Sequence, residues 1–196
     1  MESLKAVCFS LVSFGLLIQS EDVVVKYSCA GMGLKHFPED IPVDTEVLEC
    51  MDSELSYIPL SALERLTKLR TAKLAHNLIT GFPNMSPVQD TLTYLKLGSN
   101  NLCNVSFENF NRLTKLESLN LKENKLTKLP VICDFVENLE ITLDDNPIVC
   151  DADIAWILTQ GIIVSGTCGS PVNLQGQDIA SLNYADLQID VGRSSI

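Results

Sequence analysis

The chain has 196 residues, of which 46% are hydrophobic and 20% are charged, and this is enough for one domain with a continuous core. Its formal net charge is −11 at pH 7. Such a charge argues against binding to nucleic acid or to an anionic membrane surface, because both would repel the protein.

The first 20 residues are predicted to be a signal peptide. Lys5 supplies a weak positive charge, residues 6–18 are mostly apolar, and Ser20 provides a small residue at a cleavage point. The apolar run is short for a bilayer and no second long apolar run follows, so we expect a secreted, extracellular protein without membrane insertion. A buried core helix is the alternative for this segment.

Cysteine usage agrees with export. Of the seven cysteines, Cys8 lies in the predicted signal peptide, and the even number that remains favours disulfide bonds. The chain has no Cys-x-x-Cys pair, and His36 and His76 lie far apart in the sequence. The sequence therefore predicts no metal site.

A pattern of leucine and asparagine recurs along the chain. Residues 92–102 read LTYLKLGSNNL and residues 116–126 read LESLNLKENKL, so both follow the order L-x-x-L-x-L-x-x-N-x-L. The asparagine position recurs at spacings of 24, 23, 24 and 22 residues, at Ser53, Asn77, Asn100, Asn124 and Asn146. A period of this length is typical of a solenoid, in which neighbouring coils share one core.

With these units the chain resembles the extracellular leucine-rich repeat proteins over nearly all of residues 27–190. The resemblance implies an α/β fold, namely a right-handed solenoid with one curved parallel sheet on its concave side, an irregular convex side and disulfide caps. The expected parts are the signal peptide (1–20), an N-terminal cap (21–44), about five repeats (45–148), a C-terminal cap (149–190) and a tail (191–196).

The asparagines are expected to form a structural ladder in the turn after each strand. A buried amide there satisfies backbone groups that would otherwise be unpaired. Contact with a ligand is the alternative role for these residues: Asn77, Asn100, Asn124 and Asn146. Residues 131–138 depart from the repeat, so that coil is expected to be irregular.

The resemblance also implies one bridge in each cap. Three cysteines that the family usually carries upstream of Cys29 are missing, and Cys50 stands at an inward strand position, so we expect these two to bond across adjacent strands. At the other end two further family cysteines are missing together, which leaves Cys150 to pair with Cys168. Trp156, in a short helix expected over 152–160, is predicted to be cap core.

Two features of the loops remain. Cys103 and Cys133 either form a bond or are buried thiols. The sequons NMS at 84–86 and NVS at 104–106 predict glycans on Asn84 and Asn104, although Pro87 weakens the first.

The sequence predicts a ligand-binding face rather than an active site. His76 has no serine or cysteine nucleophile at a recognisable spacing and no phosphate loop is present, so we expect neither an enzyme nor a cofactor. Side chains between the inward leucines project onto the concave sheet. The candidate contacts are Met51, Lys73, His76, Tyr94, Lys96, Asn120, Lys122 and Thr142.

Charge along this face is predicted to be uneven. Its ends are acidic and its middle is basic, through Lys73, Lys96 and Lys122, which would guide an acidic partner, with Tyr94 as the anchor. A solvated face with lysines for solubility is the alternative.

We therefore expect an extracellular binding module that recognises a protein or glycan partner in adhesion, signalling or innate immunity. The alternatives are a structural matrix component that acts by assembly, with weak self-association, and the ectodomain fragment of a membrane receptor.

Overall fold

The computed structural model describes residues 24–105, 112–129 and 139–188, and it shows stacked coils with one short strand in each. Nine strands are present in these ranges: β1 (Lys26–Ser28), β2 (Val47–Glu49), β3 (Thr71–Lys73), β4 (Tyr94–Lys96), β5 (Ser118–Asn120), β6 (Glu140–Thr142), β7 (Ile148–Val149), β8 (Ile163–Ser165) and β9 (Cys168–Ser170). Seven of them form one parallel sheet in the order β1-β2-β3-β4-β5-β6-β8. The predicted solenoid with a parallel sheet is confirmed.

The inward side chains of the strands form one layer of the core. The central residue of each strand from β2 to β6 and of β8 is buried, and these residues lie in register across the sheet: Leu48, Ala72, Leu95, Leu119, Ile141 and Val164. Burial of one leucine side chain stabilises the fold by about 2 kcal/mol. Each coil has only a few such residues. The stack is stable because neighbouring coils share the buried layer between them.

The asparagine ladder runs beside this core. The Oδ1 atom of Asn100 accepts a hydrogen bond from the Ile79 amide at 3.0 Å, and its Nδ2 donates to the Leu74 and Leu97 carbonyls, both at 3.0 Å. Asn77, Asn124 and Asn146 make equivalent bonds. In the first coil Ser53 is too short to do so, and its Oγ has no hydrogen-bond partner among the described residues.

A left-handed backbone turn precedes each rung of the ladder. The residue before each rung has φ between 53° and 57°, which is uncommon for residues other than glycine. These residues are Asp52, His76, Ser99, Glu123 and Asp145. The turn ends the strand and carries the next side chain back into the coil.

The opposite side of the coils holds short helical segments. These are the helix α1 (Leu60–Leu63) and a 3-10 turn at Ser86–Val88. The coil that was predicted to be irregular, at 131–138, lies outside the described residues, as does Cys133.

Both predicted bridges are present. Cys29 bonds to Cys50 and Cys150 to Cys168, with Cα–Cα distances of 4.7 and 5.6 Å. The helix expected over 152–160 is a 3-10 helix, Ala152–Leu158, which buries Trp156. The sheet also continues through both predicted caps, because β1 and β8 add a strand at each end.

Candidate interaction face of the sheet

Side chains that alternate with the buried ones project from the outer side of the seven-stranded sheet, which we call the open face. They form two rows in register. The first row is Lys26, Val47, Thr71, Tyr94, Ser118, Glu140 and Ile163, and the second is Ser28, Glu49, Lys73, Lys96, Asn120, Thr142 and Ser165.

The structure brings most of the predicted contact residues together on this face. Lys73, Tyr94, Lys96, Asn120 and Thr142 all lie in the two rows. The other three lie further along their coils: Met51 and Lys122 two residues beyond the second row, and His76 in the left-handed turn.

An ion-pair cluster occupies the start of the second row. The carboxylate of Glu49, whose side chain is 12% exposed, lies 2.8 Å from Nζ of Lys26 and 2.7 Å from Nζ of Lys73. Hydrogen bonds from these ammonium groups, that of Lys26 first, hold the pKa of Glu49 below its ordinary value, against the opposing effect of desolvation. The ammonium group of Lys73 is therefore paired with a carboxylate of the neighbouring coil.

This cluster predicts an acid-sensitive contribution to stability. Because the pKa of Glu49 is lower in the folded protein, the stabilisation is complete above its ordinary value of 4.5 and disappears as the pH falls through the lowered value. We expect Glu49→Gln to lower the free energy of unfolding, measured in urea at pH 7, by about 1–2 kcal/mol, since hydrogen bonds to a charged group are lost.

At acidic pH the free energies of unfolding of Glu49→Gln and of the unaltered protein should become equal. Glu54→Gln is the matched control, because Glu54 is exposed and its pair with Lys35 is long, at 3.9 Å. A Glu49→Gln deficit that is the same at every pH would contradict this account.

The three lysines of the predicted basic middle differ in their ion pairing. Besides Lys73, Lys122 is also paired, at 3.4 Å from Glu123 and 3.6 Å from Asp145, and these carboxylates raise the pKa of Lys122. Of the three, Lys96 alone forms no ion pair within the part of the chain that the structure describes. The pairs join residues of neighbouring turns and coils, so the charge of the lysines is largely compensated.

The centre of the open face combines an aromatic ring with the unpaired cation. Tyr94 is 42% exposed, and a hydrogen bond to Glu117, followed by the charge of that carboxylate, raises the pKa of its phenol. Beside Lys96, the Oδ1 atom of Asn120 accepts from the Lys122 amide at 3.1 Å. Gly98 leaves room for the Asn120 side chain, since a Cβ atom at position 98 would lie 2.9 Å from Oδ1 of Asn120.

The repeat pattern gave no indication of one further concave region. A cleft of about 530 Å³ lies between the N-terminal part and the first coil, lined in part by Phe37, Ile41, Tyr57 and Arg65. Arg65 donates to the Glu39 carbonyl at 2.8 Å, and Tyr57 is 60% exposed. Its lining residues come from segments outside the strands, where no leucine period marks them.

The predicted modification sites lie outside the two rows. Asn84 and Asn104 are both exposed, and Asn84 Oδ1 accepts from the Ser86 amide at 3.1 Å. Cys103 is exposed and forms no disulfide with any described residue. Glycosylation at both asparagines stays a prediction.

The described ranges contain neither a membrane-spanning helix nor a cluster of metal-ligating side chains. No helix there has the length and apolar character needed to cross a membrane. No group of three or more histidine, cysteine or acidic side chains there is placed to hold a metal ion.

Comparison with known proteins identifies the repeat. The leucine rich repeat family model matches residues 90–148. Trophoblast glycoprotein of Macaca fascicularis is 32% identical over 143 residues, which are 67% of this chain and 34% of that protein. Tsukushi of Gallus gallus is 33% identical over 163 residues, 83% of this chain and 36% of that protein. Podocan of Mus musculus is 31% identical over 118 residues, 59% of this chain and 15% of that protein.

The chain thus spans about a third or less of the length of these curated relatives. Tsukushi and podocan are secreted extracellular proteins, and such relatives are typically non-enzymatic binding proteins. Two disulfides fit the oxidising conditions of that compartment. By its repeats, its sheet of stacked coils and its bridges, the chain is a leucine-rich repeat protein of the secreted, extracellular kind.

Proposed function

We propose that this chain is a binding protein without catalytic activity of its own, which recognises an extracellular protein through the open face. The observation that carries the proposal is the exposed ring of Tyr94 beside the unpaired ammonium group of Lys96. Aromatic residues dominate the energetics of protein interfaces, and an unpaired cation adds directional recognition.

The scaffold supports this role. Tyr94 and Lys96 flank Leu95, which is fully buried, so the strand that carries them is fixed by the core. Contact residues on rigid strands lose little conformational freedom on binding. The relatives belong to the extracellular class in which protein partners are common, which favours a protein over a glycan.

Glycans at Asn84 and Asn104, which we propose as well, would be compatible with this role. Neither residue lies in the two rows of the open face. Sugars there would leave the strands accessible to a partner.

Two tyrosine variants test the proposal. The secreted, oxidised protein is screened against an array of recombinant extracellular proteins and glycans, and hits are measured again with Tyr94→Ala and Tyr57→Ala. We expect Tyr94→Ala to weaken the affinity for the partner about 10- to 100-fold, as for an interface anchor, with little change in Tm. Tyr57→Ala, which removes an exposed ring elsewhere, should bind normally.

The opposite pattern would contradict the proposal. Normal binding by Tyr94→Ala with loss in Tyr57→Ala would assign recognition to the cleft beside the N-terminal part. A set of hits made up of glycans alone would refute a protein partner.

A further inference from the structure

The first row of the open face contains a gap between two larger side chains. Ser118 is the register partner of both Tyr94 and Glu140, so it lies between them. Neighbouring strands are about 4.8 Å apart, which places Tyr94 and Glu140 about 10 Å from each other across the short serine side chain. We call the region of Tyr94, Glu117, Ser118 and Glu140 the Tyr94–Glu140 notch.

The notch carries negative charge that no cation of the described residues pairs with. Glu117 and Glu140 are both exposed, and neither forms an ion pair with any described residue. Both carboxylates act on the Tyr94 phenol, Glu117 through a hydrogen bond and Glu140 through its charge. Lys26, Lys73 and Lys122, by contrast, are already paired with carboxylates.

An apolar side chain continues the row beyond the notch. Ile163 is the register partner of Glu140 on β8, and it is 56% exposed. Aromatic, short polar, acidic and apolar side chains therefore follow one another across four strands. A partner that fits this order has a cationic side chain with an apolar one beside it.

We propose that the Tyr94–Glu140 notch receives an arginine side chain of the protein partner. The inference rests on the proposed function and specifies its chemistry. A guanidinium group stacks on an aromatic face and pairs with carboxylates through a planar fork, whereas lysine supplies only a point charge. The net charge of −11 also attracts a basic partner from a distance.

The choice between basic and acidic partners follows from the ion pairs. An acidic segment could pair with Lys96, but the unpaired carboxylates of Glu117 and Glu140 would repel it. A basic segment gains both carboxylates and the ring of Tyr94. The notch therefore favours a basic segment, in contrast to the acidic partner that the sequence alone suggested.

Three synthetic peptides test the proposal by fluorescence anisotropy on the full, oxidised chain: labelled (Arg-Gly)4, (Lys-Gly)4 and (Glu-Gly)4. We expect the arginine peptide to bind at least threefold more tightly than the lysine peptide, and the glutamate peptide not to bind. Glu140→Lys should weaken the arginine peptide at least tenfold. Glu64→Lys, which makes the same charge change at the end of α1, should alter the affinity for the arginine peptide less than twofold.

Several results would overturn the inference. These are equal losses in Glu140→Lys and Glu64→Lys, which would show attraction to overall charge alone, no binding of the arginine peptide at millimolar concentration, or binding of the glutamate peptide. If Tyr94→Ala weakens the binding of a partner from the array but Glu140→Lys does not, the inference about the notch is overturned and the proposed function stands. A partner weakened by neither would overturn both.

Discussion

Replacing Asn124 with alanine is expected to lower the free energy of unfolding by about 2–4 kcal/mol, since one buried backbone amide would lose its partner at a cost of about 1–3 kcal/mol and three carbonyls would each lose one of two hydrogen bonds. Its Oδ1 atom accepts from the Leu102 amide at 2.9 Å. Its Nδ2 donates to the Leu97, Leu121 and Lys122 carbonyls at 3.0, 2.9 and 3.1 Å. Alanine leaves the Leu102 amide without this partner, whereas the Leu97, Leu121 and Lys122 carbonyls each keep one hydrogen bond, from Asn100, Asn146 and the Ser99 amide.

Urea unfolding of the secreted protein at neutral pH measures this effect. Asn101→Ala is the matched control, because Asn101 has the same side chain and follows Asn100 directly, yet it lies outside the ladder. We expect the control to change the free energy of unfolding by less than about 1 kcal/mol. Equal losses in the two variants would show that the amide ladder does not hold neighbouring coils together.

The second large effect is expected at Gly169 in β9. A Cβ atom there would lie 2.8 Å from both the Cα and the carbonyl carbon of Pro147, where backbone leaves no space. Pro147 follows the last rung of the ladder, Asn146, so moving it would disturb the last coil. We expect Gly169→Ala to destabilise the protein by about 3 kcal/mol, as for an overpacked site.

Gly81→Ala provides the comparison. A Cβ atom at Gly81 meets nothing within 4 Å, and we expect a change of no more than about 0.5 kcal/mol. Thermal unfolding measures both variants, and limited proteolysis shows whether the C-terminal part opens first in Gly169→Ala. Equal melting temperatures for Gly169→Ala and the unaltered protein would contradict the close contact with Pro147.

The sequence predicted those parts of the fold that a period encodes. Each leucine pair indicates one strand and each asparagine one turn, so the order of β2 to β6 follows from counting. A strand beside β2 was implied only by the expected Cys29–Cys50 bond, and β8 was not predicted, because the coils of β1 and β8 lack the leucine pattern. The left-handed turns were also missed, since no glycine marks them.

The sequence predicted which side chains lie on the open face but not how their charges pair. Alternation in the strands places Tyr94, Lys96 and Asn120 on the open face, and the structure has them there. The pairing of Lys73 with Glu49 depends on side-chain geometry between coils that are 24 residues apart. Summing charges along one sequence does not reveal such a pair, although aligning the coils in register puts its members side by side.

The most direct test of the account is a crosslink from the open face to the bound partner. The photoreactive residue p-benzoylphenylalanine replaces Tyr94 in one protein and Tyr57 in another, since both tyrosines are exposed but lie on different surfaces. The account predicts a covalent product with the partner from position 94 and none from position 57. A product from position 57 alone would contradict recognition by the open face.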